Sequence, residues 1–210
     1  MLFRSDVAEL LAERGVPVDP STVFDWVQRV TPLYRELARP RRHRAGGRWS
    51  IDETYVQVAG VPCYVFRAID ERGQVLDVYV SRTRVTEAAT VFLPRAVEET
   101  GVRPHTTTTD KVAIYPPALA TVLPDTRRIA GKAEQQAIER DHQHLKGRYR
   151  PMRGFKKLHT AQVVCAGHGF VRNLRDGFYR LGLVMGDPRI PQAPRAMLAW
   201  DELTGLLQAA

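Results

Sequence analysis

Cysteine is nearly absent: the chain has 2 among 210 residues, Cys63 and Cys165. Neither belongs to a Cys-x-x-Cys pair, so no zinc site and no disulfide framework is implied, and both are expected as reduced core residues. No apolar run approaches the roughly 20 residues of a membrane-spanning helix. The N-terminus Met1-Leu2-Phe3-Arg4-Ser5-Asp6 lacks the apolar core of a signal peptide. The expected location is therefore cytoplasmic, with no membrane partner. There are no internal repeats. Acidic residues are the minority charge, 23 against 31 Lys and Arg, leaving a formal net charge of +8. A basic excess bears on partners, not on fold. Nucleic acid comes first, because neutralising phosphates releases counterions; an acidic membrane surface comes second. With 44% hydrophobic residues the chain can bury a real core, and its length suits one domain with a small appendage.

Residues 5–14 read as a short helix, with Val7, Leu10 and Leu11 at i, i+3, i+4 and Ser5 or Asp6 as cap. Gly15-Val16-Pro17-Val18 breaks it. Asp19 as N-cap and Pro20 at the first helical position open a second helix over 20–30. Its buried stripe would be Val23, Trp26, Val27 and Val30. Two short helices across a Gly-containing turn suggest a partial helix-turn-helix over 1–38, with Thr22, Gln28 and Arg29, beside Ser21 and Asp25, facing DNA bases. Helical hairpins are common, so this pattern does not decide by itself. Residues 39–47 read as a basic linker whose Arg41, Arg42 and Arg44 suit a phosphate-tracking arm, or simply a solvated connection.

A β-rich block follows. Strands are expected over 48–58, 63–69 and 75–80, separated by Ala59-Gly60 and by Asp70-Glu71-Arg72-Gly73, as an antiparallel meander. A helix over 86–100 ends at Gly101, a fourth strand spans 105–109, a short helix 115–123, and a short fifth strand 127–130. Two longer helices occupy 137–150 and 160–181, and residues 183–210 form a loosely connected tail with a short helix near 197–207. Trp26 and Trp49 are expected in the core, and His105 and His168 as ordinary packing residues.

The stretch Ala137 to Lys146 has no interior Gly or Pro, and Ile138, Leu145 and Tyr149 fall along one side. Glu139, His142, Gln143, Lys146 and Arg150 follow another face, which puts Glu139 and Lys146 about 10 Å apart. By itself this is a solvated helix face laced with opposite charges. Upstream, Asp52 stands inside the first strand, where Asp is disfavoured, and Asp110 ends the fourth. If those strands are neighbours and the helix packs across them, three carboxylates form a hard-oxygen site. Such a site suits Mg²⁺, with Mn²⁺ as substitute. Two ions about 4 Å apart would activate an attacking oxygen and stabilise a leaving one at phosphorus. Tyr149, Arg150, Met152, Arg153, Phe155, Lys156 and Lys157 interleave aromatics with cations, a pattern of strand-binding surfaces and equally of a basic loop with Phe155 tucked inwards.

The order of three strands, a helix, a fourth strand and then helices is that of an α/β, ribonuclease-H-like fold with a mixed five-stranded sheet over 48–182. The chain resembles DDE transposases of insertion-sequence family six. The resemblance rests on Trp49-Ser50-Ile51-Asp52-Glu53-Thr54-Tyr55-Val56, Tyr64-Val65-Phe66-Arg67-Ala68-Ile69-Asp70, Thr109-Asp110-Lys111-Val112-Ala113-Ile114-Tyr115, Ile138-Glu139-Arg140-Asp141-His142-Gln143-His144-Leu145-Lys146 and Arg153-Gly154-Phe155-Lys156. It implies a bacterial, nucleoid-associated enzyme that cleaves DNA at element ends and transfers strands into a target. Asp52, Asp110 and Glu139 would be its metal-binding triad. Lys146 would be the basic residue touching DNA beside the site. Read from the residues themselves, His142, on the face of Glu139, suits a DNA contact or a support behind the metal ligands, and Lys111, Arg150, Arg153 and Lys156 are further candidate DNA contacts. Pairing two duplex ends requires at least a homodimer.

Three departures accompany the resemblance. Gln135-Gln136 stand where the family carries Asn-Asn. The interval from Asp110 to Glu139 is several residues shorter, the loss falling around Leu123 to Lys132. The N-terminal unit lacks the family's first helix, and Asp25 takes a usually basic place. They define an alternative expectation, a catalytically impaired DNA-binding remnant or inhibitor of a full-length transposase; retention of all three acids favours the enzyme. A ribonuclease-H-like nuclease without strand transfer is the third.

Overall fold

Alternating apolar side chains over residues 48–81 build β1 (Arg48–Val58), β2 (Val61–Asp70) and β3 (Val75–Ser81) in the computed structural model, which describes residues 4–131, 136–149, 154–181 and 192–209. Ala59 and Gly60 both take positive φ (51° and 79°), so two residues suffice to turn β1 into β2. The β-branched run β4 (Thr106–Thr109) and the short β5 (Arg127–Ala130) complete one sheet of order β3-β2-β1-β4-β5. β1 pairs with β2 and β2 with β3 antiparallel, whereas β4 runs parallel to both β1 and β5. That mixed order is the ribonuclease-H-like topology expected from the sequence of elements.

Both faces of the sheet are covered. On one, Trp49, Ile51, Phe66 and Leu76 pack against α3 (Thr86–Thr100) and α4 (Tyr115–Val122). On the other, Val56, Val65, Val78 and Val80 meet α5 (Gln136–Tyr149) and α6 (Leu158–Arg175). Cys63 and Cys165 are free thiols buried in this second layer. α6 comes close to its neighbours through two glycines: a Cβ on Gly169 would stand 2.9 Å from Val75 Cγ1, and one on Gly167 2.8 Å from Thr31 Cγ2.

β3 is an edge strand, and its free backbone groups are taken by side chains. The Asn173 amide accepts from Val75 N–H (2.8 Å) and donates to Val75 C=O (2.7 Å). Gln162, three turns earlier on α6, does the same for Val80 N–H and Val78 C=O, both at 2.8 Å. Arg42 closes the strand's start, donating to Gln74 Oε1, Leu76 C=O and Val75 C=O. This corrects the expectation for residues 39–47. They are no free arm: a short 3₁₀ turn (Arg39–Arg41) is followed by a bridge between Arg42 and Tyr179. With its side chain 8% exposed, Arg42 is spent on the sheet edge and not on phosphate. Arg41 donates to Leu37 C=O, and of the three Arg44 alone is exposed.

The N-terminal pair also differs in detail. α1 (Arg4–Ala12) is as expected, and Asp19 caps α2 by accepting from Ser21 N–H at 2.7 Å. α2 (Pro20–Ala38), however, continues through Pro32 well past residue 30. Its second half has a packing reason to persist. Tyr34, Leu37 and Ala38 join Phe170, Leu174, Ala199 and Leu203 in a third core with α6 and α7 (Gln192–Gln208). Tyr34 stacks edge-on against Trp200 and hydrogen-bonds Thr204. The tail helix is therefore longer than expected and firmly packed. The stripe drawn from Val23 to Val30 is not buried as a whole: Trp26 and Val27 are 43% and 41% exposed. They line a groove of about 1200 Å³ bounded by α2, α5, α6 and α7, and none of Asp52, Glu53, Asp110 and Glu139 lines it. Gln28, expected to face bases, has its amide atoms buried with no partner among the described residues.

Candidate active site

The parallel pairing of β1 with β4 positions the first two acids. Ile51 is opposite Thr109, so Asp52 and Asp110 follow side by side at the end of β4. Adjacent residues on a strand point to opposite faces. Asp52 faces α5, and Glu53 faces α4. Because both faces are covered, both acids are largely withdrawn from solvent: their side chains are 15% and 2% exposed. Ligand oxygens of Asp52, Glu53 and Asp110 all lie within 4.8 Å of one another.

Glu53 already has partners. Its Oε1 accepts from Arg84, in the segment between β3 and α3, and its Oε2 accepts from the Tyr115 hydroxyl at the start of α4. Arg84 Nη2 also stands 3.5 Å from Asp110 Oδ2. The other Asp110 oxygen accepts from Val112 N–H at 3.1 Å. Arg128 on β5 donates to Asp110 C=O and Thr109 Oγ1, fixing the strand end. Between Asp110 and Glu139 the described chain builds α4 and β5. Neither Glu53 nor Arg84 was singled out from the sequence as part of the site. The adjacent acids were the available signal for Glu53; an arginine in a turn carries none.

Asp52 has no such neutraliser. Burial pushes its carboxyl up to about 7, with the charge of Glu53 adding most after that and those of Asp110 and Glu139 adding further; a backbone hydrogen bond at Glu53 works the other way. Glu139, in the first turn of α5, is exposed and stands outside the close cluster, but its charge reaches Asp52. His142, one turn on, is 5% exposed with Nδ1 3.6 Å from Asp52 Oδ2. Burial, then Arg67 and Lys146, pull its imidazole down to about 3, so it stays neutral. Of its two expected roles, this place beside Asp52 favours support of a metal ligand over contact with DNA: His142 is a neutral wall of the Asp52 pocket. Three carboxylates this close, neutralised only in part by Arg84, fit a divalent cation, which would relieve the repulsion felt by Asp52.

α5 is held by charge as well as by Ile138 and Leu145. Asp141 is 1% exposed. Its Oδ2 lies 2.6 Å from Arg67 Nη2 on β2, and its Oδ1 2.9 Å from Arg172 Nη1 on α6. Arg67 is fully buried and is the register partner of Asp52. One ionic clasp thus ties the helix of Glu139 to the strand beside Asp52.

Of the expected DNA contacts, Lys111, Lys156 and Arg29 are exposed, and Thr22 and Lys146 are half-buried. Lys146 Nζ lies 6.0 Å from the centre of the Tyr55 ring. Arg150 and Arg153 lie outside the described residues. Phe155 is tucked inwards, its backbone bonded to Gln57 and Ala59. Among the described residues no helix is long and apolar enough to cross a membrane.

Comparison with known proteins bears on the same residues. A family model described as a DDE domain, of the IS240 type, matches residues 46–177. The Staphylococcus aureus transposase for insertion sequence-like element IS431mec is 35% identical over 168 residues, covering 77% of this chain and 73% of the relative. The S. aureus transposase for IS257 in transposon Tn4003 is 34% identical over the same shares. Among solved structures, a chain of the simian T-cell lymphotropic virus intasome in complex with PP2A regulatory subunit B56 gamma is 13% identical. It matches with a TM-score of 0.50, covering 90% of this chain and 70% of that one, a likeness of fold.

Proposed function

The chain belongs to the DDE-domain transposases of bacterial insertion sequences, and from that premise we propose that it cleaves DNA at its element's ends and joins the freed strands to a target, with Asp52, Asp110 and Glu139 as metal ligands. The observation that supports this most is the β1–β4 register, which sets Asp52 beside Asp110 at the strand ends. The family and the carboxylate set imply a divalent metal, and Mg²⁺ in a pair of ions is the finer reading. Bound there, the ions would polarise the phosphate and lower the pKa of the attacking hydroxyl or water.

The chain's own residues do the rest. Asp52 and the Asp110 Oδ2 offer oxygens from adjacent strands; Glu139 brings a third from the helix across them. Neutral His142 and the buried flank of α5 exclude water from Asp52. Lys146, two turns along α5 from Glu139, and exposed Lys111 and Lys156 give cations for flanking phosphates. Thr22, Arg29, Arg41 and Arg44 extend this basic surface, and residues 1–38 serve as the end-recognition unit ahead of a catalytic domain over 48–182. Two such chains would act together on paired ends within the nucleoid.

The test is metal-dependent cleavage and joining of a duplex carrying the sequence that flanks this gene, with Glu139→Gln alongside. Joining by the native chain and not by the variant is expected. Tight binding without cleavage in Mg²⁺ or Mn²⁺ by the native chain would refute the enzyme and leave a DNA-binding relic.

The Asp52 carboxyl also sets a pH dependence. Its folded-state pKa of about 7 lies above the ordinary carboxylate range. In the metal-free chain its contribution to stability is therefore full at acid pH below that range and lost as pH rises through about 7. A divalent ion needs the carboxylate and reverses this. The rise in melting temperature on adding Mn²⁺ is expected to be larger at pH 8 than at pH 6; equal rises would argue against Asp52 as a ligand.

A further inference from the structure

Arg84 has a place in the cluster that the three-acid reading does not explain. Glu53 is a buried carboxylate with both oxygens engaged, one by Arg84 and one by Tyr115. It is therefore poorly placed to ligate an ion, though it stands within 4.8 Å of Asp52 and Asp110. What Glu53 does is fix a guanidinium. Arg84 uses Nε and Nη2 on it, and the same Nη2 reaches Asp110 Oδ2 at 3.5 Å. Asp110 Oδ1 is occupied by Val112 N–H, so Oδ2 is the oxygen open to an ion, and Arg84 covers it. Arg84 is also the solvent-facing member: its side chain is 38% exposed, against 24% for Asp110 and 2% for Glu53. A guanidinium has five N–H donors in a fixed plane, so contacts through two of its nitrogens leave capacity for another oxyanion.

We propose that Arg84 is a tethered cation that guards Asp110 Oδ2 in the metal-free chain and turns to a DNA phosphate once a divalent ion takes that oxygen. This rests on Asp52 and Asp110 being metal ligands. Glu53 is its anchor: a positioning residue that keeps the guanidinium at the site through the exchange. Two consequences have opposite signs. Without DNA, Arg84 competes with the ion, because a positive charge within a few ångströms of Asp110 repels a dication. With DNA, Arg84 adds a phosphate contact. A residue that merely braced Glu53 would still repel the ion but would make no phosphate contact, so near-native duplex binding by the folded Arg84→Gln chain would overturn the proposal.

The experiment is Mn²⁺ binding to the full chain by calorimetry, followed by binding of the gene-flanking duplex with Ca²⁺ in place of Mg²⁺. The chains compared are native, Arg84→Gln, Arg84→Lys and Asp110→Asn. Arg84→Gln is expected to bind Mn²⁺ about tenfold more tightly than native, the screened effect of one removed charge, and the duplex about tenfold more weakly. Arg84→Lys keeps a charge for Glu53 if the glutamine variant does not fold. Its shorter point charge cannot span both acids, so Mn²⁺ binding should still tighten severalfold. Native-like or weaker Mn²⁺ binding by the folded variant overturns the proposal, provided Asp110→Asn loses the ion. If native and Asp110→Asn bind Mn²⁺ alike, the metal-site reading fails and takes the proposal with it.

Discussion

An Asp52→Asn chain is expected to keep its fold and to join DNA about a thousandfold more slowly than native, or worse. The loss follows from what the carboxylate supplies. Metal-stabilised charge at a phosphorus centre accounts for several kcal/mol of the barrier, and each ~1.4 kcal/mol is tenfold in rate. The fold should tolerate the change for a reason visible in the site. Asp52 is buried among like charges, and its carboxyl is pushed up to about 7. A neutral amide of the same shape removes that repulsion. At pH 8 without metal, the variant should therefore melt at or above the native temperature. Single-turnover strand joining and a thermal melt on the same preparation separate the two effects. A variant that loses activity only because it unfolds would show a lower melting temperature, and the role given to Asp52 would then lack support.

Asp141→Ala is expected to be costly in the opposite currency, lowering folding stability by about 3–5 kcal/mol. Asp141 and Arg67 are buried to 1% and 0% exposure, so removing the acid strands a guanidinium inside the protein. Burial already pulls the Arg67 pKa down, and Asp141 is what opposes it. Replacing both partners, Arg67→Met with Asp141→Leu, should cost less than the single change, because two apolar side chains need no compensation. Urea unfolding of the native chain, Arg67→Met, Asp141→Leu and the double variant gives the coupling directly. Additive losses would mean that the clasp holds nothing. If the double variant folds, its joining rate should still fall, since α5 then positions Glu139 without its ionic tie to β2 and α6.

The clasp shows what could be read in advance and what could not. Arg67 interrupts the apolar run Tyr64 to Ile69, and Asp141 stands at i+3 from Ile138 on the helix's apolar stripe. Two opposite charges, each inside a buried pattern, are the signature of a buried ion pair, and that signal was present. The order of strands and helices was legible because periodicity and Gly or Pro breaks are local. Strand adjacency, and with it the neighbourhood of Asp52 and Asp110, followed from that order. Other features depend on tertiary partners that no local pattern names. Arg42 looked like a linker cation because nothing nearby in sequence reveals the edge of β3. Trp26 looked like core because its spacing was helical, yet the face it lies on lines an open groove. α2 runs on through Pro32 because α6 and α7 reward its second half.

The amides of Gln162 and Asn173 on β3 have a meaning for self-association. An edge strand is a template on which a second chain can add. Here α6 supplies the hydrogen bonds that an incoming strand would have made at Val75, Val78 and Val80. The opposite edge, β5, is four residues long and begins with Arg127-Arg128, so a second copy there would bring like charges together. Among the described residues, growth of the sheet from copy to copy is disfavoured at both edges. If chains assemble on DNA as proposed, the described sheet edges leave helices, or the DNA itself, to join them, and crowding onto one polymer would not template cross-β growth there.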